Sequence, residues 1–88
     1  MKYQIRFTQR ARNQLRGISK TVAMRILRKL TELLDDPYGL DTTALVGSEA
    51  DERRLRVGDY RVVYTVDDGR LVVQVVRVGH RSEVYRGR

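Results

Sequence analysis

The chain has 88 residues, with 18 lysines and arginines against 11 acids and a formal charge of +7, which leaves room for one modest core and no separate cofactor domain. Cysteine is absent and histidine occurs once, which argues against a disulfide framework, a thiolate metal site or a transition-metal centre. Most of the cations are arginine, whose planar fork grips phosphate in a bidentate way, so the expected partner is nucleic acid or an acidic protein, with no cofactor and no metal. The first residues enter a strand-like pattern at once and no apolar span appears, so a cytoplasmic protein without a leader or membrane anchor is expected.

In chain order, Tyr3-Gln4-Ile5-Arg6-Phe7 alternates apolar and polar with period two and predicts a first strand. Thr8 is placed to cap a short arginine-rich helix on which Ala11, Leu15 and Ile18 keep helical spacing, and Gly17 ends it. Ser19 caps a second helix. Its apolar stripe is Val22, Ala23, Ile26, Leu27, Leu30, Leu33 and Leu34; Lys20, Arg25, Arg28, Lys29 and Glu32 turn outward, and Asp35-Asp36-Pro37 stops it. From Tyr38 to Asp51 the pattern is irregular, with Leu40, Leu45 and Val46 as expected anchors and Gly39 and Gly47 as turn points.

The stretch from Arg53 to Tyr85 reads as two antiparallel hairpins with two-residue turns at Gly58-Asp59 and Asp68-Gly69. The first turn pairs Val57 with Tyr60, Arg56 with Arg61 and Leu55 with Val62; the second pairs Asp67 with Arg70, Val66 with Leu71 and Tyr64 with Val73. One face then carries Leu55, Val57, Tyr60, Val62, Tyr64, Val66, Leu71, Val73 and Val75. The other carries Arg54, Arg56, Arg61, Val63, Thr65, Gln74 and, if the strand runs on, His80. The predicted fold is a single α+β domain over residues 1–88: two N-terminal helices on one face of a four-stranded, mainly antiparallel sheet, in the order β-α-α-β-β-β. Arg56 opposite Arg61 breaks a local rule, because like charges directly across a ladder repel unless an anion sits between them; such breaks tend to mark sites.

The order of elements, the run Leu55-Arg56-Val57-Gly58-Asp59-Tyr60-Arg61-Val62-Val63-Tyr64 and the closing Val78-Gly79-His80-Arg81-Ser82-Glu83-Val84-Tyr85 resemble the RelE/ParE superfamily of bacterial toxins, the RelE branch in particular. The resemblance implies the toxin of a type II toxin–antitoxin system, bound by a cognate antitoxin in a hetero-oligomer, that cuts mRNA in the A site of the 30S ribosomal subunit. By motif, Arg61 would hold the scissile phosphate, Arg81 would be the second phosphate cation, and Tyr85 would stack on the substrate or exchange protons with it. Arg54 and Arg56 fall where the family places basic residues, whereas Glu52 stands where its members often have lysine.

The residues suit RNA cleavage by attack of a ribose 2′-hydroxyl on the adjacent phosphate, a reaction that needs charge stabilisation and proton transfer but no enzyme nucleophile. Arg61 with Arg81 or Arg56 supplies the charge. Arginine stays protonated and is no base, which leaves Tyr85, a phenol with an ordinary pKa of about 10, or His80, with an ordinary value of about 6.5. Lys20, Arg28 and Lys29 are further candidates for phosphate contacts. Two other readings have the same fold: a ParE-like inhibitor of DNA gyrase with no chemistry of its own, and an inactive module that only binds its antitoxin.

Overall fold

The computed structural model describes residues 2–45 and 51–86, with side chains described as far as residue 83; Val46 and Gly47, expected as an anchor and a turn, lie outside the described residues. The elements are β1 (Gln4–Phe7), α1 (Gln9–Arg16), α2 (Lys20–Leu33), β2 (Thr42–Ala44), β3 (Glu52–Val57), β4 (Tyr60–Asp67), β5 (Val72–His80) and α3 (Arg81–Arg86). The sheet order is β1-β5-β4-β3-β2, with β1 parallel to β5 and every other neighbour antiparallel. The α+β architecture with a mainly antiparallel sheet is as expected, but the strands number five rather than four. The addition, β2, is a three-residue edge strand, too short for alternation to reveal. The closing residues also leave the sheet as α3 instead of prolonging the last strand.

Both long helices start where their caps predict. Thr8 Oγ1 accepts from Ala11 N, and Ser19 Oγ accepts from Val22 N. Ala11 on α1 and Ile26, Leu30 and Leu33 on α2 are buried against Leu55, Val57, Val62, Tyr64, Val73, Val75 and Val78, so both helices cover one face of the sheet. Tyr64 is fully buried, and its hydroxyl donates to the Pro37 carbonyl at 2.6 Å, which meets the rule that a buried hydroxyl must be paired.

The first hairpin has the predicted register: Val57 faces Tyr60, Arg56 faces Arg61 and Leu55 faces Val62. Gly58 makes it possible with φ of +58°, a conformation that costs a side-chain-bearing residue strain. The second hairpin departs from expectation. Asp67 pairs with Val72, Val66 with Val73 and Tyr64 with Val75, so residues 68–71 form the loop and Leu71 sits in it at φ of +56°, exposed, instead of on the apolar face. Side-chain bonds explain the longer loop: Asp67 Oδ1 accepts from Arg70 N, and the Asp68 carboxylate accepts from the hydroxyls of both Tyr3 and Tyr38.

Further along, β5 bulges. Tyr64 faces Val75 but Val63 faces Arg77, so Val76 is the extra residue. Where β1 ends, α1 takes over the edge of β5. Thr8 N donates to Val75 O, Thr8 Oγ1 to Val76 O at 2.7 Å, and Val78 N donates to Gln14 Oε1 at 2.6 Å. The bulge exchanges the faces of everything after it: Val78 and His80 join the covered side, and Arg77 and Gly79 the open one.

The irregular segment after α2 is held by polar contacts and not by the apolar anchor expected at Leu40, which is 94% exposed. Thr42 Oγ1 donates to Gly39 O, Arg53 Nη2 donates to Thr42 Oγ1, and the Arg53 guanidinium lies over the Tyr38 ring at 5.0 Å.

Truncating Ile26 to alanine at the centre of the core should cost about 2–5 kcal/mol, and Tyr64→Phe, which leaves a buried carbonyl short of a donor, about 1–3 kcal/mol. Equilibrium denaturation measures both; losses within the range of a surface substitution would contradict this core. The bond to Asp68, followed by desolvation, pushes the Tyr38 phenol up to about 12. A pKa raised in the folded state means that this contribution to stability is fully present below the unfolded phenol's value of about 10 and is lost as pH rises toward about 12. The Tyr3 phenol is raised first by the same carboxylate, so Asp68→Asn should bring two tyrosine transitions back down in an ultraviolet titration, and an unchanged titration would contradict the assignment.

Candidate nucleic-acid interface

Alternation along β3 and direct pairing with β4 bring Arg54, Arg56 and Arg61 to the face of the sheet that the helices leave uncovered. With Asp41, Thr42 and Thr43 from the β2 edge they line a recess of about 320 Å³. This face is not wet throughout: Val63, paired with Arg54, is fully buried.

Arg61 is half-buried, and its Nη1 donates to the carbonyls of Gly58 and Tyr60, both at 2.9 Å, so its guanidinium is fixed by the turn that it follows. Burial pushes its pKa down, and the positive charges of Arg54, Arg56 and Arg81 add to the effect, against a smaller opposing pull from Asp59. The guanidinium remains the acid form at any working pH. Arg81 comes within this field because the first residue of α3 is pinned to the first hairpin turn, where Arg81 N donates to Asp59 O at 2.8 Å.

Arg56 has another neighbour as well. Its Nη2 lies 3.2 Å from Asp41 Oδ1, while Lys29 Nζ on α2 reaches Asp41 Oδ2 at 3.3 Å. Lys29 foremost, and then Arg56, hold the Asp41 carboxyl below its ordinary value. Asp41 itself takes φ of +66°, and its carbonyl accepts from Arg56 N.

The other expected site residues are dispersed. His80 pairs with Tyr60, the two rings meeting edge to face at 5.7 Å, so it stands on the covered side and not beside Arg61. Its Nδ1 is engaged by Ser82, whose N–H donates at 3.3 Å and whose Oγ lies at 3.0 Å. The bulge in β5 is the reason, since parity counted from Gln74 without it puts His80 on the open face. Tyr85 lies on α3, and its side chain is outside the described residues. Lys20 and Arg28 are exposed on α2, across the sheet from the recess; Lys29 reaches that side only through Asp41.

Two residues of this face were not anticipated. Arg77 arrives on it by the same bulge, with its side chain only 12% exposed, an ion pair of 3.9 Å to Glu52, and an Nε that finds no hydrogen-bond partner among the described residues. Asp41 has no sequence signal beyond being an aspartate where the chain needs positive φ.

The sequence and the fold both have known relatives. A family model described as "ParE toxin of type II toxin-antitoxin system, parDE" matches residues 5–85. The mRNA interferase toxin RelE of Escherichia coli K12 is 38% identical over 88 residues, covering 97% of this chain and 92% of that protein, and the toxin RelG of Mycobacterium tuberculosis is 30% identical over 87 residues, covering 98% and 99%. Among solved structures, the toxin–antitoxin complex RelBE2 of Mycobacterium tuberculosis superimposes with a TM-score of 0.82 at 28% identity, over 92% of this chain and all (100%) of that one. The intact RelBE toxin–antitoxin complex of E. coli gives 0.76 at 35% identity, over 89% and 95%. With the element order, the first hairpin and the clustered arginines in place, the chain belongs to the RelE/ParE family of type II toxin–antitoxin toxins.

Proposed function

We propose that this chain is the toxin of a type II pair and a metal-independent endoribonuclease that cuts mRNA in the 30S A site by attack of a ribose 2′-hydroxyl on the adjacent phosphate. The observation that carries the proposal is Arg61, held by two carbonyls and surrounded by the charges of Arg54, Arg56 and Arg81. Concentrated positive charge of this kind is unfavourable in the free protein and becomes favourable when a phosphodiester arrives, more so as negative charge grows on the pentacoordinate phosphorane. In this reading Arg61 and Arg81 hold the scissile phosphate, and Arg54 and Arg56 hold the flanking backbone. None of these four moves a proton. Tyr85 takes that role, carried by α3 next to Arg81, while His80, turned toward Tyr60 and engaged by Ser82, shapes the start of α3.

The partner in the cytoplasm is a cognate antitoxin. Relatives named RelE are found in complexes titled RelE–RelB or RelBE, which supports a hetero-oligomer here. An acidic or amphipathic segment fits the +7 chain, and Lys20, Arg28 and Lys29 on α2 are placed for that partner or for ribosomal RNA phosphates. The ParE description of the family model favours a second reading, inhibition of DNA gyrase by protein contact. It predicts damage signalling with intact transcripts.

Arg61→Ala should lower transcript cleavage about 100- to 1000-fold, as loss of one fixed donor to a developing oxyanion does, and leave the melting curve nearly unchanged. Mapping transcript 5′ ends after induction, with and without translation, reads out the effect. Undiminished cleavage by the variant, or intact mRNA with the parent chain, would overturn the proposal.

A further inference from the structure

The direct pairing of Arg56 with Arg61 poses a question in the free protein: what keeps two guanidinium groups apart in adjacent strands? Each has a different tether. Arg61 is bound back onto its own turn, whereas Arg56 leans to the β2 edge, where Asp41 takes it. Asp41 is held from both sides, Oδ2 by Lys29 of the helical layer and Oδ1 by Arg56 of the open face, and lines the same recess as Arg54 and Arg61. The lysine holds the carboxylate from the helical side; the arginine, with its side chain 64% exposed against 32% for Asp41, is the member open to an incoming anion.

We infer that Asp41 is a positioning residue that serves as an internal stand-in for a phosphate, holding Arg56 aside in the free protein and yielding it to the RNA backbone on binding. The inference rests on the RNA-binding reading of this face. Its physical content is an exchange of anions: a carboxylate and a phosphodiester compete for one guanidinium, and Lys29 keeps the carboxylate in place when it loses. The low titration of the Asp41 carboxyl, caused by Lys29 and Arg56, agrees with a carboxylate that stays charged throughout. The exchange has a signature in salt. A freed carboxylate takes up a cation from solution as the RNA releases one, so the salt dependence of binding in the parent chain is shallower than the number of phosphate contacts implies.

Asp41→Asn is the appropriate variant, because asparagine tolerates the positive φ at this position while losing the charge. Binding of a single-stranded RNA decamer, blocked by 2′-O-methyl groups, is followed by fluorescence anisotropy between about 50 and 200 mM salt. Asp41→Asn should bind about two- to fivefold more tightly at the low end, the range of an exposed ion pair. Its log–log salt slope should steepen by up to about 0.7, the increment for one phosphate on a single strand. In an Arg56→Ala background the same change should have no effect. Equal or weaker binding by Asp41→Asn, or a gain that survives without Arg56, would overturn the inference. Should Asp41→Asn fail to fold, carbon NMR of the parent chain gives the answer: the Asp41 carboxyl should titrate higher with RNA bound than without, and a titration unmoved by RNA counts against the exchange. If Arg61→Ala loses cleavage while Asp41→Asn behaves as the parent, only the role of Asp41 fails; if Arg61→Ala cleaves normally, the nuclease reading itself fails.

Discussion

Two guanidinium groups in directly opposed positions of a tight hairpin govern the organisation of this molecule. Arg56 and Arg61 face one another because Gly58 alone supplies the positive φ that closes the β3–β4 turn in two residues. A slip of one residue would turn both side chains into the core, where Leu55, Val57, Val62 and Tyr64 already pack against α2, so the hydrophobic set locks the register that the repulsion opposes. The repulsion is handled locally, by carbonyls for Arg61 and by Asp41 for Arg56. The result is a small surface on which cationic charge is concentrated, the property that an anionic ligand would exploit.

The covered side of the sheet serves this surface at a distance. Thr8 and Gln14 of α1 grip β5 at its bulge, and the bulge sets which side chains beyond it face the recess. The end of β5 is then tied to the first turn through Arg81 N and Asp59 O, which brings α3 and its arginine to Arg61. Helix capping, a β-bulge and one backbone hydrogen bond thus connect the helical layer to the charge cluster, beside the side-chain link from Lys29 through Asp41 to Arg56.

Much of this was legible in the sequence, and the failures have physical causes. The caps at Thr8 and Ser19, the α2 stripe and the first hairpin are dictated by local chemistry, and the structure has them where the pattern puts them, except that Leu27 of the expected stripe is exposed. Asp68-Gly69 carries an equally good turn signal, yet Asp68 is claimed by Tyr3 and Tyr38, residues 65 and 30 positions away, and the loop lengthens to suit them. The bulge at Val76 has no local mark at all. Missing it sends His80 to the wrong face and hides Arg77, both through the same inversion of parity. Leu40 failed as an anchor because the segment around it is tied by Thr42, Arg53 and Tyr64 hydroxyl or guanidinium contacts, which hydropathy does not register.

Convergence of these arginines on one phosphodiester is tested most directly by a structure of this chain on a ribosome whose A-site mRNA is blocked by 2′-O-methyl groups. The expected result is a single phosphate within hydrogen-bond reach of the Arg61 guanidinium, with Arg81 or Arg56 as a second donor. A bound mRNA whose phosphates meet only the exposed cations of α1 and α2, with Arg61 still donating to its two carbonyls alone, would contradict it.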